Sequence, residues 1–341
     1  MRSAVVPISS RRHSGILSVY AAIVMSFMVL VILEGAVVRA TGSGAGCGDH
    51  WPLCNGVFFP HHPRLATLIE YTHRFLTGIC TALLAVLIGW TFLARPRGHR
   101  ARRAAVWSGV LLITEALLGA LLVKGGYVEN NASGMRVLMQ CVHFTNTMLL
   151  LAAITLTWSW LRDRPQPAIA GRRARSAAWL ALGTTLLVGA LGSVAALADT
   201  LYPPTSLHSA LLADFTAHAP LLVHVRWLHP AFALLALGCA IWLAVETRGG
   251  LGRLVLTLIG LQIFLGAMDV LSLAPALMQV LHLLGADVYW IALVFACATV
   301  ISPRPGLKSV PSRGTSAPGE PQRLNFQKRI LSPVRLPSDL P

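Results

Sequence analysis

The sequence predicts an all-α membrane protein, with eight transmembrane helices forming two pseudo-symmetric four-helix bundles. Three observations predict it. Eight apolar runs are each long enough to cross a bilayer, which takes about 20 residues. Basic residues collect in every second connection between those runs. Short motifs in the first four runs return in the last four, and each even-numbered run carries a histidine at the same end.

Composition excludes a soluble enzyme. The 341 residues are 55% hydrophobic and only 12% charged, whereas soluble domains carry about 25% charged residues. A net charge of +15 on a soluble chain would point to nucleic acid. Here the arginines sit in short loops between apolar runs, so membrane topology accounts for them and no nucleic-acid partner is expected.

The runs fall at 16–40, 66–94, 104–124, 136–161, 175–198, 220–246, 252–272 and 276–301. Before the first stand Arg2, Arg11 and Arg12, as in a signal peptide. The apolar stretch from Ile16 to Val38 is too long for a signal core and has no small-residue cleavage site after it, so it reads as a retained first span. Residues 1–15 are then a cytoplasmic N-terminus. Residues 302–341 are rich in Pro, Ser, Arg and Lys without apolar periodicity, and read as a disordered cytoplasmic tail.

The connection after run two holds Arg95, Arg97, Arg100, Arg102 and Arg103. That after run four holds Arg162, Arg164, Arg172, Arg173 and Arg175, that after run six Arg248 and Arg253, and the tail adds Arg304, Lys308 and Arg313. The odd connections hold Arg64, Lys124 and Arg136. The positive-inside rule therefore places both termini in the cytoplasm of a multi-pass cell-membrane protein. It places Cys47 and Cys54 outside, where a disulfide can persist. Cys80, Cys141, Cys239 and Cys297 lie in apolar runs and read as small hydrophobes.

The chain looks doubled. Glu34-Gly35-Ala36 echoes Val188-Gly189-Ala190, and Ala116–Ala120 echoes Ile263–Ala267. His73 matches His229, and His143 matches His282. This predicts an N-terminal half, 16–161, and a C-terminal half, 175–301, related by an axis along the membrane normal.

The four histidines carry the chemistry. Ionisable residues inside a membrane are costly and read as functional. All four lie within about two or three turns of the outer ends of their helices. Two per half is the arrangement that holds a haem between helices, one axial nitrogen from each side. Zinc would ask for more ligands per site, often Cys or carboxylate. The alternative reading, four hydrogen-bonded bundle residues, suits one histidine better than four matched in depth and repeat.

Glu70 lies three residues before His73, on the same helical face. Its counterpart in the second half is Arg226. The halves are therefore chemically unequal: one pocket reacts and the other transfers electrons. Glu70 suits proton exchange during an oxidation, and the competing reading is an ion pair with Arg74. The first outer loop, from Thr41 to Gly56, is rich in glycine and holds Cys47 and Cys54. Seven positions apart, these can be a structural staple or a redox-active pair, and spacing leaves both open.

The run Gly35-Ala36-Val37-Val38-Arg39-Ala40-Thr41-Gly42-Ser43-Gly44, followed by Cys47, Trp51-Pro52-Leu53-Cys54 and Glu70-Tyr71-Thr72-His73-Arg74, resembles the heme A synthase family of bacteria and mitochondria. The resemblance covers roughly residues 16–301. It implies a heme b cofactor on His229 and His282, and a heme O substrate on His73 and His143. Glu70 would be the catalytic carboxylate, and the C8 methyl of heme O would become a formyl group by two successive hydroxylations. It implies a heme O synthase (protoheme farnesyltransferase) as partner, alongside membrane lipid and an unnamed membrane electron acceptor. The loop at 199–219 departs from many members of the family: it has no Cys, but His208, Asp214 and His218. His224 lies on another face from His229 and is expected at the outer surface or on a propionate, while His50, His61 and His62 read as solvated loop residues. The rival functions are a quinol-linked diheme b-type electron carrier that leaves its haems unmodified, and a proton-coupled transporter without haem.

Overall fold

The structure, a computed structural model, describes residues 8–162, 170–247 and 249–301, with side chains from Gly15 onward. The helices are α1 Ile8–Ala40, α2 Leu65–Ala94, α3 Arg100–Lys124, α4 Gly134–Leu161, α5 Arg172–Leu201, α6 Leu207–Ala213, α7 Leu221–Val225, α8 Leu228–Thr247, α9 Gly250–Leu271 and α10 Ala276–Ile301. Eight candidate membrane spans match the eight apolar runs, with α7 and α8 together making the sixth. The chain is a multi-pass membrane protein. Among the described residues the nearest thing to a strand is one isolated bridge between Cys54 and Val57. The expected cytoplasmic segment 1–15 is helical from Ile8 onward, because α1 continues past the apolar run. Residues 1–7 and the expected tail at 302–341 lie outside the described residues.

Helices dominate because a bilayer offers no partner for backbone N–H and C=O groups, which must then be satisfied within each segment. Large apolar side chains face outward accordingly, with Leu93, Leu221 and Leu65 strongly exposed on the protein surface. In the first half α1 packs on α2, α2 on α3, α3 on α4, and α4 back on α1. In the second, α5 packs on α8, α8 on α9, α9 on α10, and α10 back on α5. Two closed four-helix rings result, joined along α1, α4, α5 and α10.

The seam between the rings is close-packed. Ala174, Ala177, Ala178 and Ala181 form a buried stripe on α5; small residues at such spacing let helices approach closely. Within the second ring the Cys297 thiol reaches the Ala178 carbonyl at 3.6 Å, tying α10 to α5. Trp290 is 1% exposed, and its indole N–H donates to the Met148 carbonyl at 2.8 Å, tying α10 to α4. The apolar core runs on through Leu17, Val24, Leu84, Leu151, Ile154 and Leu293.

The sixth span differs from its expectation. It is interrupted at Arg226 and Trp227. Pro230 explains the break: it has no N–H to give the Arg226 carbonyl four residues back, and its ring crowds that carbonyl. The His229 N–H takes the Arg226 oxygen instead, at 3.1 Å, a tighter turn. The α6 turn was also not expected; Ser206 and Ser209 form a reciprocal capping box at its start.

Candidate functional site

Each of the four histidines packs against a glycine of the preceding membrane span. A Cβ at Gly35 of α1 would come within 3.0 Å of His73 Cε1, and one at Gly192 of α5 within 2.9 Å of His229 Cε1. A Cβ at Gly266 of α9 would stand 2.9 Å from His282 Cε1, and one at Gly119 of α3 stands off at 3.9 Å from His143 Cε1. Real Cβ atoms essentially never approach under 3.0 Å, so a side chain at Gly192 or Gly266 would force its imidazole to shift, and one at Gly35 would stand at the limit of tolerance. The contact pattern is the internal repeat in physical form. It also corrects one register: the counterpart of Gly35 is Gly192, not Gly189, which faces the Phe144 ring instead.

One turn before each glycine a second group meets the same ring. His229 Nδ1 lies 3.0 Å from the Val188 carbonyl. His73 interacts with the Val31 backbone, four residues before Gly35, with Nδ1 short of full hydrogen-bond geometry. His282 Nδ1 lies 3.1 Å from the Gln262 amide nitrogen. His143 Nδ1 lies 3.4 Å from Glu115 Oε1.

Within the second ring, the His229 and His282 ring centroids are 6.1 Å apart with planes at 90°. Two imidazoles sharing one iron through bonds of about 2 Å place their centroids about 6 Å apart. In the first ring His73 and His143 interact electrostatically. Among the described residues no group of three or more His, Cys, Asp or Glu gathers as ligands for a lone metal ion. The chemistry on offer is paired imidazoles, one pair per ring, at the end where the 41–64 loop lies.

That loop is fastened to α2 through Glu70. Cys47 and Cys54 form a disulfide. The Cys47 N–H donates to Glu70 Oε2 at 2.8 Å. Arg74 donates to Glu70 Oε1 through Nε at 3.1 Å and Nη2 at 2.5 Å. Arg74 Nη1 also donates to the carbonyls of His50 and Leu53, each at 2.6 Å. A Cβ at Gly46 would lie 2.4 Å from the Ala66 carbonyl oxygen, so only glycine lets the loop backbone press on the first turn of α2. The Thr67 hydroxyl donates to the Gly46 carbonyl at 2.7 Å. The ion pair weighed against a chemical role for Glu70 is therefore formed, and both carboxylate oxygens have donors.

In the second half Arg226 holds a different set. It donates to Asp199 at 3.0 Å, to Asp214 at 2.5 Å and to the Ala210 carbonyl at 2.5 Å. His224 Nδ1 contacts the Asp214 carbonyl at 2.8 Å, so it braces the loop before α7. His50, His61, His62, His208 and His218 are exposed. Arg39 crosses from α1 to the other ring, donating to the Ala196 carbonyl, Thr200 and Gln279 at 2.8, 2.6 and 2.7 Å.

Glu115, Gln262, Arg39 and Asp199 were not singled out by the sequence. For Arg39 and Glu115 the signal was present, as ionisable residues within apolar runs, and Glu115 and Gln262 stand directly before the two echoed motifs.

Fold and site together define a polytopic helical membrane protein whose two four-helix rings each carry a pair of histidines seated on glycines of the neighbouring helices. The chain belongs to the COX15-CtaA family, described as cytochrome oxidase assembly protein, whose family model matches residues 18–294. Among similar proteins, "Protoheme IX farnesyltransferase" of Thermus thermophilus is 40% identical over 291 residues, 83% of this chain and 48% of that one. "Heme A synthase" of Alkalihalophilus pseudofirmus is 34% identical over 140 residues, 41% of this chain and 44% of that one. "Heme A synthase" of Bacillus licheniformis is 38% identical over 129 residues, 38% of this chain and 40% of that one. The matches span about half the length of these relatives or less.

Proposed function

We propose that this chain is a membrane oxidoreductase that converts heme O to heme A, oxidising the C8 methyl to a formyl group by two successive hydroxylations. The observation that carries the reading is the His229–His282 pair, 6.1 Å between centroids, with each ring seated on a glycine whose Cβ would stand only 2.9 Å from it. Family membership and relatives named for heme A synthesis give the pair its chemistry.

His229 and His282 hold the heme b cofactor in the C-terminal half, 175–301. His73 and His143 hold the substrate haem in the N-terminal half, 16–161. A haem bound at such a pair supplies an iron centre for oxidation and electron transfer. The protein's residues fix its orientation: the Val188 carbonyl holds the His229 ring by its Nδ1 edge, which leaves Nε2 for the iron. Bundles that seat haem between facing helices use imidazoles in this way.

Glu70 is the catalytic carboxylate. It stands one turn from His73 and ties the Cys47–Cys54 loop to the same helix, so proton exchange at the site and the position of the loop are coupled. The second half has Arg226 at this place, bound to Asp199 and Asp214, which suits a pocket that only passes electrons.

The setting is the cell membrane with both termini cytoplasmic, as the loop arginines favour. A protoheme farnesyltransferase is the expected supplier of heme O. Support comes from the Thermus relative: it bears that name, and this chain matches only about half of it.

The test is chromatography of haems extracted from cells holding this chain and a heme O source. Heme A is expected with the native chain, and heme O alone with Glu70→Ala, which keeps its cofactor haem. Two unmodified b haems with the native chain would instead make it an electron carrier.

A further inference from the structure

The two rings differ behind their last histidines. In the first, Glu115 of α3 faces His143, with a side chain only 12% exposed and Oε1 at 3.4 Å from Nδ1, an ion-pair distance short of hydrogen-bond geometry. Its two oxygens are aimed by α4. Asn146 Nδ2 donates to Oε2 at 2.6 Å, and the Thr147 hydroxyl bonds Oε1. Asn146 is itself oriented, accepting from Thr114 at 2.8 Å and donating to the Leu111 carbonyl at 2.9 Å.

In the second ring the matching position is Gln262, four residues before Gly266 as Glu115 is before Gly119. Its amide nitrogen lies 3.1 Å from His282 Nδ1 and 3.3 Å from Nε2, and donates to the His282 carbonyl at 3.0 Å. Counting from His282 as Asn146 and Thr147 count from His143 gives Gly285 and Ala286. Neither can hold a carboxylate, and a Cβ at Gly285 would stand 2.4 Å from Gln262 Oε1. The difference is thus spread over three matched positions, not one substitution.

A carboxylate accepting from the Nδ1–H of a ligating histidine fixes the tautomer with Nε2 toward the metal and makes the ring a stronger donor. The Gln262 atom nearest His282 is its amide nitrogen, a donor, which cannot accept that N–H. We propose that Glu115 is the positioning residue of the first pocket: it stands at Nδ1 to accept the N–H of a ligating His143 and makes that ligand more electron-donating than Gln262 makes His282. The two pockets are thereby electronically unequal, with the first-pocket iron easier to oxidise. The proposal rests on the haem reading above and names a residue that reading does not use.

The test is a redox titration of the purified full chain with its haems, followed by absorption and by the low-spin resonance signal. His73→Ala identifies the first-pocket signal by its loss. The native first-pocket haem should titrate at the lower potential. Glu115→Gln should shift that potential upward and leave the second pocket where it was. Gln262→Glu should shift the second pocket downward, which keeps the proposal testable should Glu115→Gln fail to fold. A loaded Glu115→Gln protein with native potential and native resonance signal overturns the proposal alone. A native chain that takes up no haem in either pocket overturns it together with the haem reading.

Discussion

The Nδ1 edge of His229 rests 3.0 Å from the carbonyl oxygen of Val188, one helical turn before the glycine, Gly192, that lies against the same ring. Carbonyl and glycine fix the ring from two sides. The helix before each histidine is therefore as much a part of the pocket as the histidine itself.

Alanine at Gly192 or Gly266 should cost the second pocket most of its haem, because a Cβ there would stand 2.9 Å from the imidazole. Weakened helix formation would not be the cause, since Gly to Ala favours a helix by about 1 kcal/mol. Gly119→Ala, with 3.9 Å to His143, should load normally. Haem content per chain after purification measures all three, and equal loading would count against the seating argument.

Pro230→Ala should let the Arg226 carbonyl recover a partner four residues on and close the break between α7 and α8. His229 would then lose its 3.1 Å bond to that carbonyl and turn relative to Val188. The expected result is a weaker or altered low-spin signal from the second pocket with an unchanged first pocket. An unaltered signal would mean that the break does not set the ring.

Removing Glu70 should loosen the 41–64 loop. Glu70→Ala leaves the Cys47 N–H without its acceptor and strips Arg74 of its carboxylate, a loss worth up to about 3 kcal/mol for a largely buried pair. Glu70→Gln keeps an acceptor for Cys47 and should loosen the loop less. Hydrogen exchange at the Cys47 amide reads the order native, Gln, Ala from slowest to fastest. Indifference of that amide to both changes would show the tie to be without consequence.

Replacing Cys47 and Cys54 by serine should free a short closed loop, at about 2–3 kcal/mol. The loop still has the Arg74 donations to His50 and Leu53, so the helical rings should remain folded by circular dichroism. If formyl product persists undiminished while stability falls, the pair is a staple only; if product falls while haem loading stays native, the pair takes part in electron flow.

Much of this was legible in the sequence because the bilayer simplifies the reading. Apolar length sets each helix, so the spans at 66–94 and 276–301 fall within a residue of α2 and α10. The histidines were legible as polar residues in costly places. The Gly119–Gly266 echo was found correctly, whereas Gly35 was paired with Gly189, because three-residue echoes recur at helical spacing and only the ring contact selects Gly192. The break at Arg226 was foreshadowed by Pro230, yet overall hydropathy runs straight through it. Glu115 escaped because its meaning depends on Asn146 and Thr147 on the next helix, a relation that no single-span pattern contains.

The central claim is that each ring clasps a haem with its own pair of imidazoles. Resonance spectroscopy of the purified, haem-loaded chain and its His73→Ala and His282→Ala variants tests it most directly. The account predicts two low-spin bis-imidazole signals in the native chain, of which His73→Ala removes one and His282→Ala the other. Both signals surviving either substitution, or one substitution abolishing both while the helices stay folded, would contradict it.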